Sequence, residues 1–120
     1  MTTPRLILVA GANGAGKSTM TARLMKRFGS SLGVLLDADA LATALAPDNP
    51  SRAAISAGRL TLALLERALQ RRERVIYETT LSDKKRYLDL LQHAQNLGFK
   101  TWVFYIGLDD PQMHLERVEQ

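Results

Sequence analysis

The sequence predicts an α/β domain with a parallel β-sheet and helices on both faces. Short apolar runs alternate along the chain with longer segments whose apolar residues recur at helical spacing, as in successive βαβ units. A glycine-rich stretch lies between the first apolar run and the first helical segment. The 120 residues, 46% of them hydrophobic, suffice for one globular domain and not for two.

The elements follow from periodicity, glycine caps and turn residues. Gly29 and Gly98 are placed to end two helices, and Asp110 with Pro111 has the pattern of a helix start. The predicted strands are 5–10, 34–36, 75–77 and 101–106, and the predicted helices are 17–28, 40–45, 53–70, 84–97 and a last one from Asp110 to Gln120.

Composition excludes several classes of protein. The chain has no cysteine, so disulfides and thiolate metal sites are ruled out, and we expect a cytoplasmic protein. The apolar run near the start is too short for a signal peptide or a membrane span, so no membrane partner is expected. The net charge is +4, without the dense basic stripe of a nucleic-acid binder. Arg71, Arg72 and Arg74 indicate a solvated helix end instead.

Residues 11–18 carry the pattern G-x-x-x-x-G-K-[ST], between a predicted strand and a predicted helix. Glycines let backbone N–H groups approach phosphate oxygens, and the helix start adds its positive dipole end. Lys17 would reach the β- and γ-phosphates of ATP or GTP, and Ser18 would hold Mg²⁺. A chance match is the weaker alternative. The predicted nucleotide-binding residues are Gly11, Ala12, Asn13, Gly14, Ala15, Gly16, Lys17, Ser18 and Thr19.

Acidic residues follow the next two strands, where the strand ends share a crevice with the loop. Asp37 and Asp39 could divide the placement of Mg²⁺ and the removal of a proton from an acceptor hydroxyl, or one of them could cap the short helix. Glu78 and Thr80 could contact the acceptor, although Glu78 could instead pair with an arginine. Ser82 and Asp83 are better read as a helix cap, and His93 and His114 as surface or satisfied histidines.

The series G-A-N-G-A-G-K-S-T, D-A-D, A-G-R at 57–59, E-T-T-L-S at 78–82 and G-F-K at 98–100 resembles the zeta-toxin family of P-loop kinases. That resemblance covers about residues 6–118 and implies phosphorylation of the 3′-hydroxyl of the amino sugar of UDP-N-acetylglucosamine. It implies Lys17 as the loop lysine, Asp39 as general base, and Glu78 and Thr80 as sugar-nucleotide contacts, with Asp37 left as the metal candidate. Arg59 is either a substrate contact or an ordinary surface arginine.

Right-handed crossovers and the resemblance together predict a P-loop three-layer sandwich with strand order 2-3-1-4. Family members continue beyond the counterpart of Arg117 and Val118 into a lid with arginines and a base-binding region. We therefore expect a single kinase-like domain over residues 1–120 without that region, with weak catalysis and self-association through the open edge of the fourth strand.

Two alternatives to a sugar-nucleotide kinase stay open: a nucleotide-binding module with little turnover, and a kinase for another small hydroxyl compound. An antitoxin protein is a further expected partner. A GTPase switch is disfavoured because N-K-x-D is absent, and an ABC-type ATPase because L-S-G-G-Q is absent.

Overall fold

The computed structural model describes residues 3–12, 16–28, 33–80, 84–107 and 114–119. A 3₁₀ turn at Pro50–Ala53 precedes the longest helix. The strands are β1 (Arg5–Gly11), β2 (Val34–Asp37), β3 (Val75–Thr79), β4 (Lys100–Gly107) and β5 (His114–Glu119), and the helices are α1 (Lys17–Phe28), α2 (Ala38–Leu45), α3 (Ala54–Gln70) and α4 (Lys84–Asn96).

These strands form one sheet in the order β2-β3-β1-β4-β5. The strands β2, β3, β1 and β4 run parallel to one another, which confirms the predicted order 2-3-1-4 and the α/β fold. β1 lies at the centre because residues 6–10 are apolar throughout and buried, as a strand covered on both faces requires. Its register places Val9 beside Glu78 of β3. The carboxyl ends of β1, β2 and β3 therefore lie side by side at the same end of the sheet.

Two hydrophobic clusters fill the space between the sheet and its helices. The larger packs Leu65 and Leu69 of α3 and Leu91 of α4 against one face. The smaller packs Met20 of α1 against Ile7 and other residues of the opposite face. Alternate residues of β1 thus belong to different clusters, as the two-residue period of a strand dictates. α1 lies on one face of the sheet, and α3 and α4 lie on the other.

The prediction for the end of the chain was wrong. Residues 114–119 form the strand β5, antiparallel to β4, where a helix was expected, while Asp110 and Pro111 lie outside the described residues. The segment contains good helix formers, but β4 offers a row of backbone donors and acceptors that a strand can satisfy. This pairing also removes the open β4 edge on which the expected self-association depended.

The other predicted elements are present with small shifts at their ends. β3 continues through Thr79 and α2 begins at Ala38, each two residues beyond or before its predicted limit. α4 ends at Asn96 with Gly98 at a φ of +89° just after it, as a glycine helix end requires. The predicted cap Gly29 lies outside the described residues. No helix among the described residues is long and apolar enough to cross a bilayer.

Candidate active site

The described part of the phosphate loop has the geometry of an anion site. α1 begins at Lys17, directly after Gly16, whose φ of +100° suits glycine. Its first backbone bond runs from Met20 N to Gly16 O at 3.0 Å, so the N–H groups of residues 17–19 point out of the helix end. Lys17 Nζ donates to Gly11 O at 2.8 Å. Asn13, Gly14 and Ala15 lie outside the described residues.

A buried carboxylate lies against the hydroxyl of the loop. Glu78, 6% exposed, accepts a hydrogen bond from Ser18 Oγ to its Oε1 at 3.3 Å. The two residues meet because β3 is the neighbour of β1, so the end of β3 lies beside the start of α1. A hydroxyl and a carboxylate side by side are oxygen ligands of the kind that Mg²⁺ takes, either directly or through water. This pair fits a magnesium ion bound at the phosphates.

The two aspartates after β2 differ in what they contact. Asp37 is the N-cap of α2, with its Oδ1 accepting from Asp39 N at 3.0 Å and from Ala40 N at 3.3 Å, so the capping alternative holds for Asp37. Asp39 lies in the first turn of α2 and is exposed. Its carboxylate is therefore accessible to a substrate.

A cavity of about 180 Å³ brings most of the predicted residues together. Lys17, Asp37, Asp39, Glu78 and Thr80 all line it, although they come from α1, the β2–α2 junction and the end of β3. Ser18 reaches the same place through its bond to Glu78. A cation, an accessible carboxylate and a hydroxyl-bearing strand end thus face one space.

Arg59 lies elsewhere. It lines a neighbouring groove of about 530 Å³ between the first halves of α3 and α4. Tyr77 and Tyr87 line both spaces, so the groove and the smaller cavity share a wall. Thr19 is exposed on the first turn of α1.

Tyr87 is a site residue that the sequence did not reveal. Its hydroxyl donates to the Thr80 carbonyl oxygen at 2.5 Å and contacts the Thr79 hydroxyl, so the start of α4 is tied to the end of β3. Burial, the largest influence, raises the pKa of the Tyr77 phenol. The sequence feature that could have pointed to Tyr87 is its spacing. It lies three residues before Leu90, and both side chains belong to the face of α4 that packs on the core.

The histidine expectation is met where the structure describes it. His93 Nε2 lies 2.9 Å from Glu66 Oε2, which joins α4 to α3 on the surface. Ser82 and Asp83 lie outside the described residues. Among the described residues no group of three or more His, Cys, Asp and Glu side chains could hold a metal ion by itself. A bound Mg²⁺ would therefore need phosphate or water oxygens as well.

The comparisons with known proteins identify the family. A family profile described as an AAA domain matches residues 6–120, which is nearly the whole chain. The chain belongs to this AAA domain family. An uncharacterized protein of Haemophilus influenzae is 29% identical over 116 residues, which cover 96% of the chain and 79% of that protein.

Solved structures share the fold of this AAA domain. A chain of the PezAT chromosomal toxin–antitoxin system of Streptococcus pneumoniae superposes with a TM-score of 0.76 at 20% identity, over 93% of this chain and 50% of that one. A protein of Chloroflexus aurantiacus, provisionally described as a kinase, superposes with a TM-score of 0.64 at 18% identity, over 88% of this chain and 60% of that one. A chain of the Pnkp1/Rnl/Hen1 complex superposes with a TM-score of 0.62 at 23% identity, over 92% of this chain and 37% of that one.

This AAA domain has an α/β fold of the P-loop NTPase type. It spans 37% to 60% of the three solved chains that it matches. At these identities the likeness is one of fold, and what those whole proteins do does not transfer to this chain by similarity alone.

Proposed function

We propose that this AAA domain is a phosphotransferase that moves the γ-phosphate of ATP or GTP to a hydroxyl of a small molecule. The observation that carries the proposal is the shared cavity of Lys17, Asp39, Glu78 and Thr80. Phosphoryl transfer needs a held triphosphate, neutralised charge and a group that takes the acceptor proton, all within a few ångströms. The cavity contains a residue suited to each task.

On the phosphate side, the loop of residues 11–18 with Thr19 would bind the triphosphate through its backbone N–H groups. Lys17, now bonded to Gly11 O, would exchange that carbonyl for phosphate oxygens. Ser18 would hold Mg²⁺, and Glu78 is near enough to orient a water on that ion. Asp37 stays a proposed second metal contact, since its capping bonds use only Oδ1. The ion, when bound, neutralises charge on the phosphates.

On the acceptor side, Asp39 would act as general base, and Glu78 and Thr80 would contact the acceptor. The acceptor oxygen forms a bond to the γ-phosphorus while the bond from that phosphorus to the β,γ-bridging oxygen breaks. The hydroxyl proton passes to Asp39, and the products are a phosphorylated acceptor and a nucleoside diphosphate. The zeta-toxin resemblance of residues 78–82 supports UDP-N-acetylglucosamine and its 3′-hydroxyl as the acceptor.

One observation favours a second candidate, a nucleotide-binding module with little or no turnover. No arginine is among the described residues that line the cavity. Arginines that contact the transferring phosphoryl group contribute large factors in rate. Without such a side chain, phosphate binding would persist while transfer would be slow.

The remaining proposals are less closely tied to geometry. Residues 1–120 are proposed as a single kinase-like domain that acts in the cytoplasm. An antitoxin protein is a proposed partner, supported by the resemblance and by the structural likeness to a chain of a toxin–antitoxin system.

Mass spectrometry of UDP-N-acetylglucosamine after incubation with the chain, Mg²⁺ and either ATP or GTP tests the function. The expected product is heavier by one phosphoryl group, and digestion with a 3′-specific phosphatase should remove it. A Lys17→Ala variant is the control for contaminating kinases. Nucleotide binding without any product from this acceptor or from a panel of other hydroxyl compounds would favour the binding module.

A further inference from the structure

The groove between α3 and α4 continues the cavity of the proposed active site. α3 leads into β3 and α4 leaves it, so the first half of each helix lies at the carboxyl end of that strand. Tyr77 and Tyr87 line both the groove and the cavity. The cavity, at about 180 Å³, is smaller than sites that enclose a whole small molecule, which usually measure at least about 300 Å³. Most of an acceptor would therefore lie outside it, and the groove of about 530 Å³ is the adjoining space.

Gly58 lines this groove from the interior of α3, where glycine is unexpected. Only proline is a poorer helix former than glycine. The usual reasons for glycine are a positive φ or a close neighbour, and neither applies at this position. The backbone is helical, and no heavy atom of the described residues lies within 4 Å of the place where a Cβ would be. The fold itself therefore gives no reason for glycine at position 58, whereas a ligand that lies against α3 does.

The side chains of α3 that line the groove become smaller toward the active site. Ala54, Gly58 and Leu62 line it at successive turns, so the two smallest residues lie nearest the carboxyl end of β3. Tyr87 and Leu90 of α4 form the facing wall. Open space between an aromatic wall and a bare helix backbone suits a flat apolar ring, since the ring can stack on Tyr87 and lie against Gly58.

We propose that Gly58 determines which acceptors the chain takes, by leaving room for a flat apolar ring in the groove while the acceptor hydroxyl extends past Tyr87 to Asp39. This inference rests on the proposed phosphotransfer. It adds a selectivity by shape: an acceptor that carries such a ring binds more tightly than the same acceptor without it. A larger side chain at position 58 should remove this preference, because it would occupy the space of the ring.

Two neutral glycosides that differ only in the ring measure this preference. The chain is first saturated with Mg²⁺ and a non-hydrolysable ATP analogue, so that the phosphate side is occupied. Calorimetry then compares the phenyl and the methyl β-glycosides of N-acetylglucosamine. Neither is charged, so ion pairing with the charged lining residues Arg59, Arg86 and Asp89 cannot favour one of them. We expect the phenyl glycoside to bind at least about tenfold more tightly, through burial of its ring.

Variants assign that preference to position 58. Gly58→Leu should abolish it by filling the space over α3, and affinity for the ATP analogue should stay unchanged. Gly58→Ala should remove only part of it. The alanine variant should also melt about 4 °C higher than the wild type, since alanine favours the helix and its Cβ meets no other atom. Ala63→Leu, which adds the same bulk at an exposed position of α3 outside the groove, is the matched control and should behave as the wild type.

The inference is overturned if Gly58→Leu keeps the preference, if both glycosides bind the wild type equally, or if neither binds. Failure of the ATP analogue to bind would instead overturn the proposed phosphotransfer. In that case the fluorescence of a neutral aromatic dye, N-phenyl-1-naphthylamine, tests the groove alone. Loss of dye binding in Gly58→Leu and not in Ala63→Leu would support a site for a ring, and equal or absent binding would reject it.

Discussion

The phosphate side and the acceptor side of this cleft are built in different ways. The phosphate side comes from one continuous stretch at the β1–α1 junction, and its described donors are backbone N–H groups and one lysine. The acceptor side is assembled from α2, α3, α4 and the end of β3, through side chains such as Asp39 and Tyr87. A backbone site binds what all nucleotides share. A side-chain site can change its ligand with few substitutions, so nucleotide binding and acceptor choice should respond to different mutations.

Lys17→Ala should affect the phosphate side and leave the acceptor side intact. Loss of the lysine charge should weaken ATP binding by on the order of a hundredfold, since a charge-assisted contact to the phosphates disappears. The fold should persist, because Lys17 is outside both hydrophobic clusters. Calorimetry with ATP and Mg²⁺ measures the affinity, and thermal melting without nucleotide is the control. ATP affinity equal to that of the wild type would contradict the role of the loop.

Asp39→Asn should affect the opposite side. The amide cannot take the acceptor proton, so transfer should slow by about 10²–10⁴-fold while ATP affinity stays unchanged. Asp39 is exposed, so the substitution should leave the fold intact. Rates of product formation at saturating ATP measure the effect, and Asp48→Asn is a matched surface control. A wild-type rate would mean that Asp39 has no catalytic part.

The same contrast explains how much the sequence predicted. The loop motif is local, so Lys17 and Ser18 could be assigned from their neighbours in the sequence alone, and alternation of apolar runs with helical patterns was enough for the parallel sheet. The end of the chain was mispredicted because Asp110 and Pro111 have the pattern of a helix start, whereas the free edge of β4 makes residues 114–119 a strand. Local preference carries no information about such an edge.

The acceptor side was only partly predictable for a related reason. Asp39, Glu78 and Thr80 were proposed because they come shortly after predicted strands; in the structure Asp39 lies in the first turn of α2, and Glu78 and Thr80 lie at the end of β3. Arg59 was suggested by the resemblance. That it lies in a groove beside Tyr87 of α4 depends on how α3 and α4 pack on the sheet. Residues on separate helices have no fixed spacing in sequence that would indicate their contact.

A smaller effect is expected from Tyr87→Phe, which keeps the ring between the two spaces but removes the hydroxyl. The end of β3 then loses the bond to the Thr80 carbonyl oxygen and the contact with Thr79. One hydrogen bond is worth about 0.5–1.5 kcal/mol, so we expect a rise of about twofold to twelvefold in the KM for the acceptor. The KM for ATP should not move, and Tyr105→Phe in β4 is the control. Equal changes in both KM values would indicate a general loosening instead.

The smallest effect should come from Glu66→Gln, which alters the contact between α3 and α4 at the end away from the groove. A hydrogen bond from Gln70 is the main influence that lowers the pKa of Glu66, and His93 lowers it further by a hydrogen bond and by its charge. A carboxylate whose pKa is depressed by folding adds stability above its unfolded pKa and loses it as pH falls through the folded pKa. The variant should thus be less stable than the wild type at pH 7, by a few tenths of a kcal/mol because both partners are about half exposed. The difference should shrink as the pH falls through the lowered pKa of Glu66, because the carboxyl is then protonated in the folded and the unfolded state alike. Urea unfolding at pH 7 and pH 3 measures it, with Glu73→Gln as the surface control. A difference in stability that persists unchanged at pH 3 would mean that the effect comes from packing. The contact between the Glu66 carboxylate and His93 would then have no part in it.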